Sequence, residues 1–184
     1  MGTEFPDFRL GSVLATSFTA TLTERQGSSV ERIPVPQRLA DWLTVSGLPV
    51  DSCTPTQLEL ARELRESIHA VATAAAAHDA LPTAAVRVIN ERSAEGGAAA
   101  ILTPSGERRW RLGSDSGVED ALGVIATDAI DIVAGERDGK LALCASPTCR
   151  AAFFDTSQSR TRKWCDMNTC GNKQKKARFN ANRR

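Results

Sequence analysis

Four cysteines constrain this chain more than any other feature. Cys144, Cys149, Cys165 and Cys170 fall as C-x4-C, fifteen residues, then C-x4-C. A short loop lets both thiolates of one pair reach a single ion, and the longer loop brings the second pair round to complete a tetrahedron. Four sulfurs with no open position describe a structural Zn2+ site rather than a catalytic one. Two disulfides would satisfy the same spacing but need an oxidising compartment. An iron–sulfur cluster also takes four thiolates, yet the basic residues crowding the segment suit nucleic acid better than electron transfer. From Leu143 to Arg184 the larger apolar side chains are Leu143, Phe153, Phe154, Trp164 and Phe179. So few cannot hold a segment of this size by burial alone, whereas metal binding of about 10–16 kcal/mol in comparable modules supplies folding free energy.

Charge divides the chain at the same place. Lys140 to Arg184 carries eleven basic and two acidic residues, a net +9, while the whole chain is +1. Residues 1–139 therefore hold twelve basic and twenty acidic residues, −8. Four thiolates on Zn2+ bring the tail to about +7. A compact basic tail is the electrostatic footprint of a nucleic-acid binder. Arg160, Arg162 and Lys163 precede the third cysteine as one cationic arm. After Gly171, which permits close backbone approach beside the metal, a helix is expected from Asn172. It sets Lys173, Lys176 and Asn180 on one face, with Lys175, Arg178 and Asn182 alongside. Asn168 or Thr169 is the expected cap, and Phe179 is placed to anchor the helix back onto the finger. Phe153, Phe154 and Trp164 read first as the finger's small core, and second as base-stacking platforms.

These residues carry a resemblance. The run L-x-x-C-x4-C-x3-F-x-D-x-S-x-x-R-x-R-x-W-C-x4-C-G-N-[RK] spans Leu141, Cys144, Cys149, Phe153, Asp155, Ser157, Arg160, Arg162, Trp164, Cys165 and Cys170 to Lys173. It resembles the CGNR zinc finger. That finger sits at the C-terminus of bacterial proteins whose N-terminal part is the ABATE domain, a family described as stress-induced transcription regulators. The N-terminal likeness rests on Phe8-Arg9-Leu10-Gly11, Leu39-x-x-Trp42-Leu43 and Gly47-Leu48. Lys173 stands where the family name has Arg, which keeps the charge and loses the bidentate fork.

The N-terminal part reads as packed helices. Leu14, Phe18 and Leu22 recur at steps of four and predict a helix from Val13 to about Arg25; residues 26–35 read as loop. Pro36 to Val45 carries Leu39, Trp42 and Leu43, with Gly47 as the stop. Thr54-Pro55-Thr56-Gln57 is a capping box with proline in the first turn. It opens a helix striped by Leu60, Leu64, Ile68, Val71 and Ala75 that ends before Pro82. Another helix runs from Thr83 to about Arg92, with Val86 and Ile89 inward, and Gly96-Gly97 breaks it. Ala98–Thr103 and Glu107–Leu112 flank Pro104-Ser105-Gly106 as a β-hairpin. Ser116-x-x-Glu119 caps a last helix striped by Val118, Leu122, Ile125, Ala129 and Val133. Gly135 to Gly139 reads as a hinge.

The expected fold class is therefore α+β, mainly α. A helical domain over 1–135 with a small β-hairpin precedes a treble-clef-like zinc finger over 140–184 that ends in a helix. No apolar run approaches the roughly 20 residues of a membrane helix, and the opening residues lack a signal-peptide pattern, so the cytoplasm is the expected compartment. Enzyme chemistry is not expected. His69 and His78 form no metal pattern, Cys53 stands alone, and no phosphate loop appears. Asp115, Glu119, Asp120, Asp128 and Asp131 read as a solvated helix face rather than a metal cluster. Arg109, Trp110 and Arg111 are a weak candidate pocket for a small anion. The reading that joins these features is a DNA-binding regulator whose helical domain senses a small-molecule effector or forms a homodimer, the latter part being what the resemblance implies. RNA binding, or docking of an acidic protein with zinc as a mere staple, are the alternatives. Zinc loss or oxidation is expected to unfold the finger, release the nucleic acid and leave the helical domain folded.

Overall fold

A computed structural model describes residues 5–113, 115 and 117–181. Its helices are α1 (Leu14–Thr19), α2 (Pro36–Val45), α3 (Pro55–Ala77), α4 (Thr83–Glu95), α5 (Gly117–Ala134) and α6 (Asn172–Ala181). The strands are β1 (Leu22–Thr23), β2 (Val30–Glu31), β3 (Ala99–Leu102), β4 (Arg108–Arg111), β5 (Lys140–Leu143) and β6 (Ala152–Asp155). They pair antiparallel as β1–β2, β3–β4 and β5–β6, each a sheet of two strands. Helix makes up about 48% of the described residues, so the fold is α+β and mainly α.

α3 is the central helix, and its start is set by local chemistry. Thr54 Oγ1 accepts from the Gln57 N–H at 3.2 Å, and Gln57 Oε1 accepts from the Thr54 N–H at 2.8 Å. Two otherwise orphaned donors are satisfied reciprocally. Leu64, Ile68 and Val71 from the striped face are buried, as is Leu58. The helix closes at His78, in the left-handed region with φ 60°. α2 runs as expected and ends at Gly47, whose φ of +82° a residue with a Cβ rarely adopts. Phe18 of α1 and Trp42 of α2 meet at 5.1 Å between ring centroids.

α1 is shorter than its apolar spacing predicts. It stops at Thr19, where the hydroxyls of Thr19 and Thr21 donate to the carbonyls of Thr16 and Phe18. After the turn at Ala20–Thr21 the chain becomes extended as β1, where β-branched Thr23 suits a strand. Within residues 26–35, read as loop, β2 pairs with β1. Two buried arginines pin this small sheet. Arg65 of α3 donates to Glu31 at 2.8 Å and Thr21 at 3.2 Å, and Arg32 donates to Thr23 at 2.7 Å and the Asp7 carbonyl at 2.7 Å.

α4 and α5 cross so closely that only glycine fits. A Cβ on Gly123 would lie 2.6 Å from the Gly96 Cα and 3.1 Å from the Arg92 carbonyl oxygen. Both obstacles are backbone and cannot rotate aside. Gly123→Ala is expected to destabilise the chain by about 1–3 kcal/mol through overpacking; an unchanged urea midpoint would contradict this crossing. Val118, Leu122, Ile125 and Ala129 of α5 are buried as the stripe predicts. Ser116 of the expected capping box lies outside the described residues.

Asp120 and Asp128 are not solvated. Asp120 accepts from the N–H groups of Gly97 at 2.7 Å and Gly113 at 2.6 Å, clamping both ends of the β3–β4 hairpin to α5. Asp128 accepts from the Ala15 N–H at 2.8 Å, supplying the start of α1 with the cap that Val13 cannot, and pairs with Arg137. Burial of these carboxylates is offset by charge-assisted bonds.

Residues 135–139 are not a swivel. Leu141, Ala152 and Phe154 of the β5–β6 hairpin are buried in the same apolar core as α1, α3 and α5. The Phe154 ring rests on Gly139, where a Cβ would come within 2.5 Å of two ring carbons.

Candidate zinc centre and cationic surface

β6 is buried on both faces. Successive strand side chains point to opposite sides, so Phe154 enters the helical core while Phe153 joins a second cluster with Cys144, Cys149, Ala151 and Cys170. Trp164 and Cys165 pack against that cluster. Phe153 and Phe154 are thus core, and their stacking reading does not hold; Trp164 is partly buried against the second cluster.

The first cysteine pair sits on the turn between β5 and β6. The Cys149 and Arg150 N–H groups both donate to the Ser146 carbonyl, each at 3.1 Å, and the Cys144 N–H donates to the Ala151 carbonyl at 2.9 Å. The second pair is carried by the chain after β6. Asp155, buried at 1% exposure, accepts from the N–H groups of Ser157 and Arg162, both at 2.9 Å. Burial alone would raise this carboxyl; the bonds from Ser157 and Arg162 outweigh it and hold the group below the ordinary carboxylate range. The Ala145 N–H donates to the Lys163 carbonyl at 2.8 Å, stitching the two halves together. Cys170 then lies in a π-helical turn, Met167–Gly171, directly ahead of α6. Its cap is Asp166, whose Oδ1 accepts from Asn168 at 2.7 Å and Thr169 at 3.0 Å. Asn168 and Thr169, the expected caps, are its donors. A Cβ at Gly171 would reach 2.5 Å from the Met167 sulfur, so the glycine keeps this turn tight.

The geometry suits one metal ion. All four Sγ atoms lie within 4.8 Å of one another, and Cys165 sits 3.7 Å from both Cys149 and Cys170. A tetrahedron with Zn–S bonds of about 2.3 Å has edges of about 3.8 Å, whereas a disulfide needs about 2.05 Å. Cysteines are reduced and Cys144, Cys149 and Cys170 are buried. Thiols this crowded resist ionising together: bonds from Cys149 and Cys165 pull Cys144 down, while burial and then the charge of its neighbours push Cys170 up to about 12. A dication lets all four ionise. Cys144, Cys149, Cys165 and Cys170 hold one structural zinc ion.

The candidate cations divide by what they already touch. Arg162 donates to the Cys165 carbonyl at 3.0 Å and lies 5.4 Å over the Phe153 ring. Arg160 pairs with Asp138. Asn172 donates to the Asn168 carbonyl at 3.2 Å. Lys173 donates to Glu24 at 2.8 Å, across to the β1–β2 turn. Lys173 beside it holds the Glu24 carboxyl low. Lys163, Lys175 and Lys176 are exposed and form no ion pair among the described residues. The side chain of Arg178, and Asn182, lie outside the described residues. Among the described side chains of α6 none is buried, and Phe179 is 60% exposed.

The expected anion pocket is differently built. Strand alternation puts Arg108, not Arg109 or Arg111, beside Trp110, with its guanidinium 4.1 Å from the ring. Arg108 and Trp110 line a cavity of about 420 Å3 with Asp120, Asp128, Asp131 and Arg137. Arg109 is exposed and pairs with Glu107 at 2.9 Å, and Arg111 is exposed. Same-face parity, readable in the sequence, would have selected Arg108.

Comparison with known proteins adds two matches. Residues 12–136 match the ABATE family model, whose description is "Putative stress-induced transcription regulator". Residues 140–183 match the CGNR zinc finger. Neither family is enzymatic. No curated protein matches the chain. Among the described residues no helix is long and apolar enough to cross a membrane.

Proposed function

The chain belongs to the ABATE family and ends in a CGNR zinc finger, and from that premise we propose that it is a DNA-binding transcription regulator with a ligand-sensing helical domain. The finger grips phosphates, and α6 reads bases. One observation carries this: a net +9 is concentrated in a segment whose shape zinc fixes, ending in a helix with no buried side chain among those described. A mostly polar helix whose described side chains stay out of the core, and which is tied to the rest of the chain through Lys173 and Glu24, has a face left for a partner. Lys163, Lys175 and Lys176, unpaired with any described acid, are the first phosphate contacts; Arg160, Arg162, Asn172, Lys173 and Arg178 complete the surface.

Gel-shift titration of the zinc-loaded chain on duplex DNA tests this. About five phosphate contacts give a slope of about −4.5 in log K against log salt. The Lys175→Glu/Lys176→Glu double variant is expected to flatten that slope by about 2 and weaken binding more than about tenfold at low salt. A slope near zero would reject phosphate-driven binding. Unchanged affinity in the double variant would instead assign that face to an acidic protein partner. Preference for structured RNA in competition would replace DNA with RNA.

A further inference from the structure

A cleft of about 550 Å3 separates α3 from the first zinc-binding turn, lined by Arg25, His69, Thr73, Leu143, Ala145, Pro147, Cys149 and Arg150 among others. Its chemistry differs from that of the cavity beside Trp110. There the charged groups are engaged, Asp120 by two backbone donors, Asp128 by Ala15 and Arg137, and Arg108 by the Trp110 face, and a single lining hydroxyl, Ser46 Oγ, is buried without a partner among the described residues. The α3 cleft has three such groups. Arg25 Nε, His69 Nδ1 and Thr73 Oγ1 are all buried, and none has a hydrogen-bond partner among the described residues. Buried polar groups are nearly always satisfied, and leaving one unmet is destabilising. Three in one cleft point to something that meets them.

They share one side of one helix. Glu66, His69 and Thr73 lie three and four residues apart on α3 and so form one face. Arg25 is fixed to that face by its bond to Glu66 at 2.5 Å, and its side chain is only 10% exposed. That pairing uses Nη1 and Nη2, leaving Nε–H. Burial and then the Arg25 charge push His69 down to about 4, so its ring is neutral at pH 7 and offers one donor. Thr73 offers a hydroxyl. Arg150 adds a second cation at the rim, and Leu143, Ala145 and Pro147 supply an apolar wall.

We propose that this cleft is the effector site, and that it takes a small monocarboxylate with an apolar body. The carboxylate accepts from Arg25 Nε–H, His69 and Thr73, and the body lies on Leu143, Ala145 and Pro147. A dianion is disfavoured, because Cys149 forms part of the lining and its zinc tetrathiolate carries about −2. One wall belongs to the helical domain and the other to the metal-bound turn, so a ligand here touches both. The inference deepens the sensing part of the proposed function and is independent of whether the finger binds DNA.

Isothermal titration calorimetry on the zinc-loaded chain without nucleic acid tests it, with benzoate as probe and benzamide and inorganic phosphate as comparators. Benzoate is expected to bind saturably, and benzamide and phosphate to bind at least about tenfold more weakly, since charge-assisted bonds are lost or opposed. Thr73→Val keeps the shape and removes the hydroxyl; Arg25→Lys keeps the charge and removes Nε–H. Each is expected to weaken benzoate about tenfold, with circular dichroism confirming an unchanged fold. No saturable benzoate binding, tighter phosphate than benzoate, or full affinity in a folded Thr73→Val variant would overturn the assignment. A gel shift run in parallel distinguishes this failure from failure of DNA binding.

Discussion

Stripping the metal with a chelator is expected to lower the melting temperature of the 184-residue chain by at least ~10 °C. The second apolar cluster holds Ala151 and Phe153 besides its cysteines, with Ala142 and Trp164 partly buried against it. That is too little burial to hold the second cysteine pair, the π-helical turn and α6. Zinc binding in comparable modules is worth about 10–16 kcal/mol. If about 5 kcal/mol of that appears as stability, a chain of this size loses about 10–20 °C. The loss does not stop at the finger, because Leu141, Ala152 and Phe154 lie in the helical core. Circular dichroism at 25 °C should show the loss of α6 and the preceding turn while α2 to α5 persist, and calorimetry should show those helices melting earlier. Full retention of the melting temperature would mean that sulfur–metal bonds contribute nothing to the fold. The sequence reading has the helical domain stay folded after zinc loss; the shared core adds the expectation that it is then less stable.

Phe154→Ala is expected to destabilise the helical domain by about 3–5 kcal/mol, the usual cost of deleting a buried ring. Zinc affinity should change little, since Phe154 faces away from the cysteines. Phe153→Ala, one residue earlier on the same strand, should do the reverse: it weakens zinc binding strongly and lowers the midpoint of the helices less than Phe154→Ala does, and only through the lost metal. The pair is informative because both rings are 6% exposed and so equally buried; only the side of the strand differs. Titration with a chromophoric chelator and thermal denaturation of both variants read the two effects. Identical profiles would show that the two clusters behave as one.

Much of this was legible in the residues themselves. The cysteine spacing implied the four-sulfur site, since ligand spacing is a local property of the chain. The Thr54–Gln57 box and Gly47 marked helix ends for the same reason. What escaped notice depended on distant partners. Nothing near Asp128 shows that it caps α1, 113 residues away in sequence. Nothing near Asp120 shows that it clamps the β3–β4 hairpin. The segment Gly135–Gly139 has the composition of a linker, and only the Phe154 ring lying on Gly139 reveals a fixed joint. Two misreadings were avoidable. Asp166 precedes Thr169 by three and is as good a cap as Asn168. Strand parity selects Arg108 over its neighbours.

Lys173, at the position of the family arginine, is joined to Glu24, a residue 149 positions earlier on a turn that also meets Thr148 through the Gln26 N–H at 3.1 Å. A polyanion that claims this ammonium must divorce it from its carboxylate. A polyanion on the zinc-finger helix is therefore felt at the Glu24 turn, and by reciprocity anything that steadies that turn changes how readily the lysine is surrendered.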